Sequence, residues 1–463
     1  MDPILQVACT LALATVYPLF PLQARRAILL VASYGFYAAF GWDFVPILAA
    51  VTLVSFLGAF AVERWRQSAW PAAVSIVFLL LPLIFYKYWQ AWFGTLSIPG
   101  VPVSSLDFGG QGSVLIPVGL SFYTFQAISY VVDVRRGLQP DHNIARFFLF
   151  KSFFPLLLAG PIERYRSLAP QLWSAPLPRL AAVGPALLLV FYGLFLKTVI
   201  GDRIGVAVDA AYDVPHPGWQ HALMASVGFT VQIFADFGGY ALIAVGSGQL
   251  FGVDLTRNFK QPFFSHNLVE FWQRWHISLT RWIGDYLYRP VGRVLWRATR
   301  GRRFAAESVT AMITWVLMGL WHGPTMQFAL FGLCQGVAMQ ATKLAGPDRP
   351  AELPWWRLAL GGLATFAFVA LTFGLIRTPG VAAYARMLEG LITLAPGRAK
   401  MVESDILVAA VVLMVGVEAV RRFRPDWDVT RSWGATYVLI ALLFLAIILF
   451  GYDQSRAFIY FRF

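Results

Sequence analysis

The chain has 463 residues, of which 58% are hydrophobic and only 13% are charged, and its mean hydropathy is +0.63. A soluble domain carries roughly 25% charged residues, so this composition excludes an ordinary soluble protein and indicates a membrane protein. The net charge is +13, but the basic residues flank apolar runs, which favours membrane orientation and anionic headgroups over nucleic acid as their explanation.

Apolar runs long enough to cross a ~30 Å hydrocarbon layer recur along the whole chain. Arginine and lysine collect at alternate connections between them, which predicts that both termini and the 90–113 and 202–219 loops face the extracytoplasmic side. The sequence therefore predicts an all-α, polytopic integral membrane protein. The predicted helices lie at 4–22, 27–41, 44–61, 72–89, 114–134, 181–199, 222–250, 306–322, 325–342, 358–376, 404–420 and 433–450.

Two further regions are too interrupted or too polar to span a membrane. Residues 147–171 contain an apolar run broken by Pro155 and by Gly160-Pro161, and residues 254–305 mix Trp, Arg, His and Asp. Such breaks free backbone carbonyls, which at membrane depth need partners from other protein or from water in a cavity. We predict that both regions form re-entrant helices, the second of them entering from the cytoplasmic side.

Two histidines are the candidates for catalysis. His276 follows Trp272 and Trp275, and His322 lies between Trp321 and Gly323 near the end of an apolar run. An ionisable side chain inside a membrane is a functional candidate by default, and imidazole moves protons readily near pH 7. For either histidine alone, a core residue hydrogen-bonded to a carbonyl is an equal alternative. The recurrence of the pattern, beside Trp and a helix break, favours catalysis.

Other catalytic signatures are absent from the sequence. It contains no zinc motif, no nucleotide-binding glycine loop and no Gly-x-Ser-x-Gly elbow, and the two cysteines, Cys9 and Cys334, have no metal-site spacing. We therefore predict no metal site.

Two charged features of the sequence have open interpretations. Asp236, in an apolar run, either lines a pore or orients a histidine, or it is a buried partner of an arginine such as Arg274 or Arg281. A basic interfacial helix is predicted around Arg289, Arg293 and Arg297, and it either receives a phosphate-rich or acidic acyl donor or anchors the chain to headgroups.

Two blocks of sequence together resemble the membrane-bound O-acyltransferase (MBOAT) family, in its bacterial branch. The first contains Asn258-Phe259, Pro262, Glu270-Phe271-Trp272, Arg274-Trp275-His276-Ile277-Ser278-Leu279, Trp282, Asp285-Tyr286-Leu287-Tyr288 and Pro290. The second is Gly319-Leu320-Trp321-His322-Gly323. The resemblance extends over most of the chain and is strongest from 114 to 330.

The resemblance implies a single membrane domain over 1–463, with a ring of about 11–12 transmembrane helices and re-entrant helices around a central funnel. It implies that His322 is the catalytic histidine and His276 its partner. We predict that the tunnel between the two faces is lined by side chains from the same two blocks, and that arginines lie on its donor side. The tunnel candidates are Asn258, Trp272, Trp275, Ser278, Asp285 and Trp321, and the donor-side candidates are Arg289, Arg293 and Arg297.

The activity implied by the resemblance is O-acyl transfer across a bacterial cytoplasmic (inner) membrane. The expected co-substrate is a thioester, acetyl-CoA or an acyl carrier protein, with no bound cofactor. The expected acceptor is an extracytoplasmic polysaccharide, reached through a periplasmic or surface-anchored partner. The sequence has Ala241-Leu242 where relatives of the alginate type have an acidic residue, and Gln335-Gly336 where they have His-Gly. D-alanyl transfer to teichoic acid is therefore the alternative.

Two other classes of function fit the polar residues less well. In a proton-coupled transporter the histidines would form a proton relay and Asp236 would bind a cation, but no paired broken segments support it. In an inert scaffold for polymer export the histidines would be structural.

Overall fold

A computed structural model describes residues 3–89, 116–345, 353–397, 404–424, 428–452, 456 and 458–459. Every regular element in these ranges is helical, which confirms the predicted all-α class. The predicted 90–113 loop lies outside the described residues. In chain order the helices are α1 (Pro3–Val16), α2 (Leu22–Ala38), α3 (Val45–Arg64), α4 (Trp70–Ile84), α5 (Leu120–Arg135), α6 (Ile144–Ser152), α7 (Phe154–Leu157), α8 (Tyr165–Ser174), α9 (Leu180–Phe195), α10 (Asp202–Tyr212), α11 (Trp219–Leu250), α12 (Leu268–Arg274), α13 (Ile277–Ile283), α14 (Arg289–Ala298), α15 (Arg303–His322), α16 (Met326–Leu344), α17 (Trp355–Arg377), α18 (Val381–Thr393), α19 (Ser404–Phe423) and α20 (Trp433–Phe450).

Seven helices in the described part of the chain are long and apolar enough to cross a membrane. The chain is thus a multi-pass membrane protein. The other five predicted runs also coincide with helices, namely α1, α2, α5, α16 and α19, which are shorter, less apolar or more highly charged. The seven spans are Trp42–Arg64, Trp70–Tyr88, Leu180–Tyr212, Trp219–Leu250, Arg303–His322, Trp355–Arg377 and Trp433–Phe450.

Helix α20 has an exposed apolar surface, as expected of a helix that contacts lipid. Only 6% of its apolar window is buried within the protein, and large side chains such as Leu442, Phe444 and Ile448 are more than half exposed. A soluble protein rarely exposes so large a continuous apolar surface, whereas hydrocarbon accepts it at no cost.

The two regions predicted as re-entrant contain only short helices. Residues 147–171 are divided among α6, α7 and α8, and the breaks fall at Phe153 and between Leu158 and Arg164. Residues 254–305 are divided among α12, α13, a π-helical turn at Gly284–Tyr288, α14 and the start of α15. Apart from α15, which continues beyond this region, none of these helices reaches the ~20 residues that a span requires.

The chain divides into two compact units. The first consists of Met1–Tyr192 with Tyr240–Arg257, and the second of Gly193–Gly239 with Asn258–Phe463. In the first unit α3 packs against α4, α5 and α6, while α2 packs against α6 and α7.

In the second unit the hairpin of α15 and α16 is the most extensive helix pair. Glycines bring the two backbones close together, since a Cβ on Gly319 would collide with the Phe328 carbonyl and one on Gly332 with the Trp315 carbonyl. Small residues at such positions allow the closest helix packing within a membrane. The hairpin therefore holds the end of α15, where His322 lies, against the start of α16.

A buried ion cluster also stabilises the second unit. The Lys197 ammonium lies 2.6 Å from Asp202 Oδ1 and 2.7 Å from Asp236 Oδ1, and all three side chains are at most 5% exposed. The other carboxylate oxygen of Asp236 accepts a hydrogen bond from the Ile459 amide at 2.7 Å. The partner of Asp236 is thus Lys197 rather than Arg274 or Arg281. Sequence reasoning missed it because Lys197 is remote in sequence and lies inside another apolar span.

Replacing Lys197 by Met should strongly destabilise the protein, because two buried carboxylates then lose their cation. Removing one partner of a buried ion pair typically costs about 3–5 kcal/mol. Thermal unfolding in detergent measures the effect. Lys343→Met, at an exposed amine, is the matched control and should leave the unfolding temperature nearly unchanged. Equal unfolding temperatures for the two variants would contradict a stabilising role for the cluster.

Candidate active site

His322 is the last residue of α15, and its side chain is buried. The helix ends because Gly323 adopts an extended backbone and Pro324 follows it. The imidazole packs beside the Trp321 ring, with centroids 4.6 Å apart, and edge-on to the Phe331 ring at 6.0 Å. A Cβ at position 323 would collide with the Phe328 ring. The α15–α16 turn is thus packed so tightly that it leaves the imidazole little freedom.

His276 forms the break between α12 and α13. Its backbone is left-handed, with φ 43° and ψ 52°, and the residue is 1% exposed. Such a backbone costs a non-glycine residue roughly 1–2 kcal/mol, so the surrounding structure must hold it. The Phe237 ring meets the imidazole edge to face, with centroids 4.6 Å apart.

Asn258, which precedes α12 in the chain, accepts hydrogen bonds from the turn at His276. Its carbonyl accepts a hydrogen bond from the Ile277 amide at 2.9 Å, and its side-chain oxygen accepts one from the Ser278 amide at 3.1 Å. These amides belong to the first turn of α13, where an α-helix has no partners of its own. Asn258 therefore caps α13 from a distant segment, because His276 provides no side-chain cap.

The two histidines line one narrow cavity in the second unit. Its volume is about 10 Å³, close to the minimum that holds one water molecule. Apart from the two imidazoles, its walls are apolar or aromatic, an environment in which a few placed polar groups decide how a ligand is oriented. The lining residues are Ile233, Trp272, Trp275, His276, Met318, His322, Phe331, Phe373 and Ile376.

Trp272 and Trp275, two of the predicted tunnel residues, form walls of this cavity. Trp275 stacks on Phe271 with ring centroids 5.4 Å apart. Trp272 donates from its indole nitrogen to Gln335 Oε1 at 3.1 Å, and Gln335 donates to the Thr372 hydroxyl at 2.8 Å. This buried chain fixes the indole. Sequence reasoning did not assign Gln335 to the site, although an amide within an apolar helix is a signal that could have identified it.

The other predicted site residues are not among the described residues that line the cavity. Asn258 and Ser278 are hydrogen-bonded to each other at the start of α13. The Trp321 ring contacts the His322 ring. Asp285 accepts a 2.6 Å hydrogen bond from Arg289 near the surface. Arg293 and Arg297 are exposed on α14.

The electrostatic state of His276 follows from its surroundings. The residue lies outside the seven candidate spans, between two helices of seven residues each. Burial lowers the pKa of His276 to about 3, because an apolar environment penalises the charged imidazolium. The ring is therefore neutral at pH 7, with one nitrogen able to donate a hydrogen bond and the other able to accept one.

Two buried histidines on one cavity of a multi-pass helical membrane protein mark a candidate functional site. Comparison with known proteins identifies the family. The model of the membrane-bound O-acyltransferase family matches residues 135–347. The chain is 30% identical over 477 residues to the "Probable alginate O-acetylase AlgI" of Pseudomonas putida, a match that covers 95% of this chain and 94% of the relative.

Two relatives with other names match less closely. The "Peptidoglycan O-acetyltransferase" of Helicobacter pylori is 28% identical over 432 residues, which cover 81% of this chain and 75% of that protein. The "Teichoic acid D-alanyltransferase" of Bacillus subtilis is 28% identical over 339 residues, which cover 70% and 81%. The chain therefore belongs to the membrane-bound O-acyltransferase family, and it is an acyltransferase.

Replacing Asn258 by Ala should lower the stability by about 1 kcal/mol, because the Ser278 amide loses its cap. Asn258→Ser keeps a neutral acceptor oxygen of the kind that caps helices and should retain part of that stability. Chemical unfolding in detergent compares the two variants. If Asn258→Ser were as destabilised as Asn258→Ala, the hydrogen bond to the Ser278 amide would not be what holds the turn.

Proposed function

We propose that this chain transfers an acetyl group from a cytoplasmic thioester toward an extracytoplasmic polysaccharide. The observation that carries the proposal is the common cavity of His276 and His322 in a chain of this family. Polysaccharide O-acetylation is the activity in the names of the alginate and peptidoglycan relatives. We place the protein in a bacterial cytoplasmic membrane, where one face meets the donor and the other the polymer.

In the proposed reaction His322 acts as general base. It takes the proton of an attacking hydroxyl group, whose oxygen bonds to the thioester carbonyl carbon. The carbon–sulfur bond then breaks, and the proton passes from His322 to the leaving thiolate. Neutral His276 donates a hydrogen bond to the oxyanion that develops on the carbonyl oxygen. A mechanism through an acyl-histidine is the alternative, and trapping of a labelled protein adduct at His322 would establish it.

The donor in this proposal is acetyl-CoA or an acyl carrier protein, and both are strongly anionic. The exposed arginines of α14, Arg289, Arg293 and Arg297, provide a matching positive surface. In the membrane-anchor alternative the same residues bind headgroups and do not affect the donor. The acceptor hydroxyl belongs to a periplasmic or surface-anchored partner that completes transfer to the polymer.

D-alanyl transfer is a second candidate, because the Bacillus subtilis relative named for that activity covers 70% of this chain. The two reactions leave different groups on the polymer. Mass analysis of surface polymers from a deletion strain would show loss of acetyl esters under the first proposal and loss of D-alanyl esters under the second.

His322→Ala and His322→Gln should reduce acyl transfer by roughly 10²–10⁴-fold, the usual contribution of a general base. Polymer acylation in a strain lacking the chromosomal copy is the measurement. His216→Ala, at an exposed position, is the matched control and should complement fully. Each variant should be present in the membrane at the level of the unmodified protein.

Near-normal acylation with both His322 variants would overturn the proposed reaction. Proton-driven solute uptake in proteoliposomes, without thioester consumption, would instead indicate a transporter.

Replacing Arg289, Arg293 and Arg297 together by Gln should raise the KM for the thioester donor by roughly three- to tenfold, because exposed charges contribute up to about 1 kcal/mol each. The kcat should remain unchanged, since none of the three lines the cavity. The same positions changed to Lys keep the charge and form the control. An unaltered KM, together with a smaller stabilisation of the protein by anionic lipid, would support headgroup anchoring instead.

A further inference from the structure

A second pocket lies in the first unit, remote in sequence from both histidines. It has a volume of about 360 Å³, within the range of small-molecule sites. We call it the arginine pocket. Its lining residues are Arg26, Arg146, Tyr165, Pro170, Trp173 and Ser174.

Both arginines of this pocket are fixed in place. Arg26 donates from Nε to the Trp173 carbonyl at 2.6 Å, and its guanidinium lies 4.2 Å from the centroid of the Trp173 ring. Arg146 binds Asp141 through Nε at 2.8 Å and through Nη2 at 2.5 Å. Its guanidinium lies 5.9 Å from the centroid of the same indole ring. Two cations are thus held near one indole.

The charges in the arginine pocket do not balance. Asp141 has a single negative charge, which pairs with Arg146 and also accepts a 2.6 Å hydrogen bond from the Tyr165 hydroxyl. Burial raises the pKa of Asp141, but the hydrogen bonds from Arg146 and Tyr165 outweigh it and hold the pKa below its ordinary value. Within the described residues, no carboxylate lies at ion-pair distance from Arg26. The pocket therefore has an excess positive charge.

The available groups suit a phosphate. Arg26 donates a hydrogen bond from Nε to the Trp173 carbonyl, which leaves the two terminal nitrogens of its guanidinium for a ligand. A guanidinium group can donate two parallel hydrogen bonds to the oxygens of a phosphate, and arginine is favoured at sites that bind phosphate in this bidentate way. Trp173 and Tyr165 add aromatic surface beside the charge.

The sequence predicts that the pocket lies at the cytoplasmic face. Arg26 is in the first turns of α2, Arg146 in the first turn of α6, and Trp173 at the end of α8. The arginine and lysine distribution predicts that Arg25-Arg26 and Arg135-Arg136 face the cytoplasm. Anionic headgroups and soluble phosphate esters both occur at that face.

We propose that the arginine pocket binds a phosphate ester anion at the cytoplasmic face. Two sources supply this chemistry, namely the headgroup of an anionic phospholipid and the phosphates of coenzyme A. The site is separate from the histidine cavity in its residues and does not depend on the proposed acyl transfer.

A binding experiment on the full chain in detergent tests this proposal. Phosphatidylglycerol is compared with phosphatidylcholine by the shift in unfolding temperature, and free coenzyme A is measured by equilibrium binding. We expect at least one of phosphatidylglycerol and coenzyme A to bind. Arg26→Gln should weaken that binding roughly ten- to hundredfold, since a hydrogen bond to a charged group contributes about 1.5–3 kcal/mol. Arg166→Gln, an exposed arginine on α8 outside the pocket, should bind like the unmodified protein.

The outcomes distinguish the sources. A shift with phosphatidylglycerol that depends on Arg26 identifies a lipid site, and Arg26-dependent binding of coenzyme A identifies a coenzyme site. Binding of neither probe, or equal binding by Arg26→Gln and unmodified protein, would overturn the proposal. If Arg26→Gln does not fold, Arg26→Lys serves instead, because it keeps the charge but loses the fork, and its binding should still weaken. The His322→Ala protein should bind as well as the unmodified protein, which separates this test from that of the acyltransferase mechanism.

Discussion

Backbone amides and carbonyls inside a membrane protein need partners from the protein itself, and this requirement shapes the region around His276. The chain interrupts its helix there, so the first amides of α13 have no partners within that helix. Asn258 supplies them, through its carbonyl to Ile277 and its side chain to Ser278. The helix can therefore break at His276 without leaving these amides unsatisfied, and the imidazole at the break lines the cavity.

Charged groups also need partners, and the two units meet this requirement differently. In the second unit Lys197 has two carboxylate partners, Asp202 and Asp236, and Asp236 also accepts the Ile459 amide. Each charged group of this cluster therefore has an ionic partner within the second unit. In the first unit the arginine pocket contains two guanidinium groups, and among the described residues only one of them has a carboxylate at ion-pair distance. A paired charge holds elements together, whereas a charge without a counter-ion leaves affinity for a ligand.

Much of the architecture could be predicted from local sequence. Long apolar runs locate helices because a membrane imposes a minimum length, and proline and glycine located the breaks in 147–171. Local signals, a Trp and a helix break beside each residue, marked His276 and His322 as candidates, whereas their pairing was implied by the resemblance to the family. Contacts between remote segments were not predictable in this way. Lys197 and Gln335 became visible as partners only in the structure, because their roles depend on which helices meet.

The left-handed backbone of His276 affects how the position tolerates exchange. Asparagine, aspartate and glycine adopt this conformation comparatively easily, whereas valine, isoleucine and threonine resist it because of their branched Cβ. A variant that loses function with a branched residue at 276 thus reports a distorted chain direction as much as a missing ring. Asparagine is therefore the cleaner probe of the imidazole itself, because it removes the ring and still accepts the left-handed backbone.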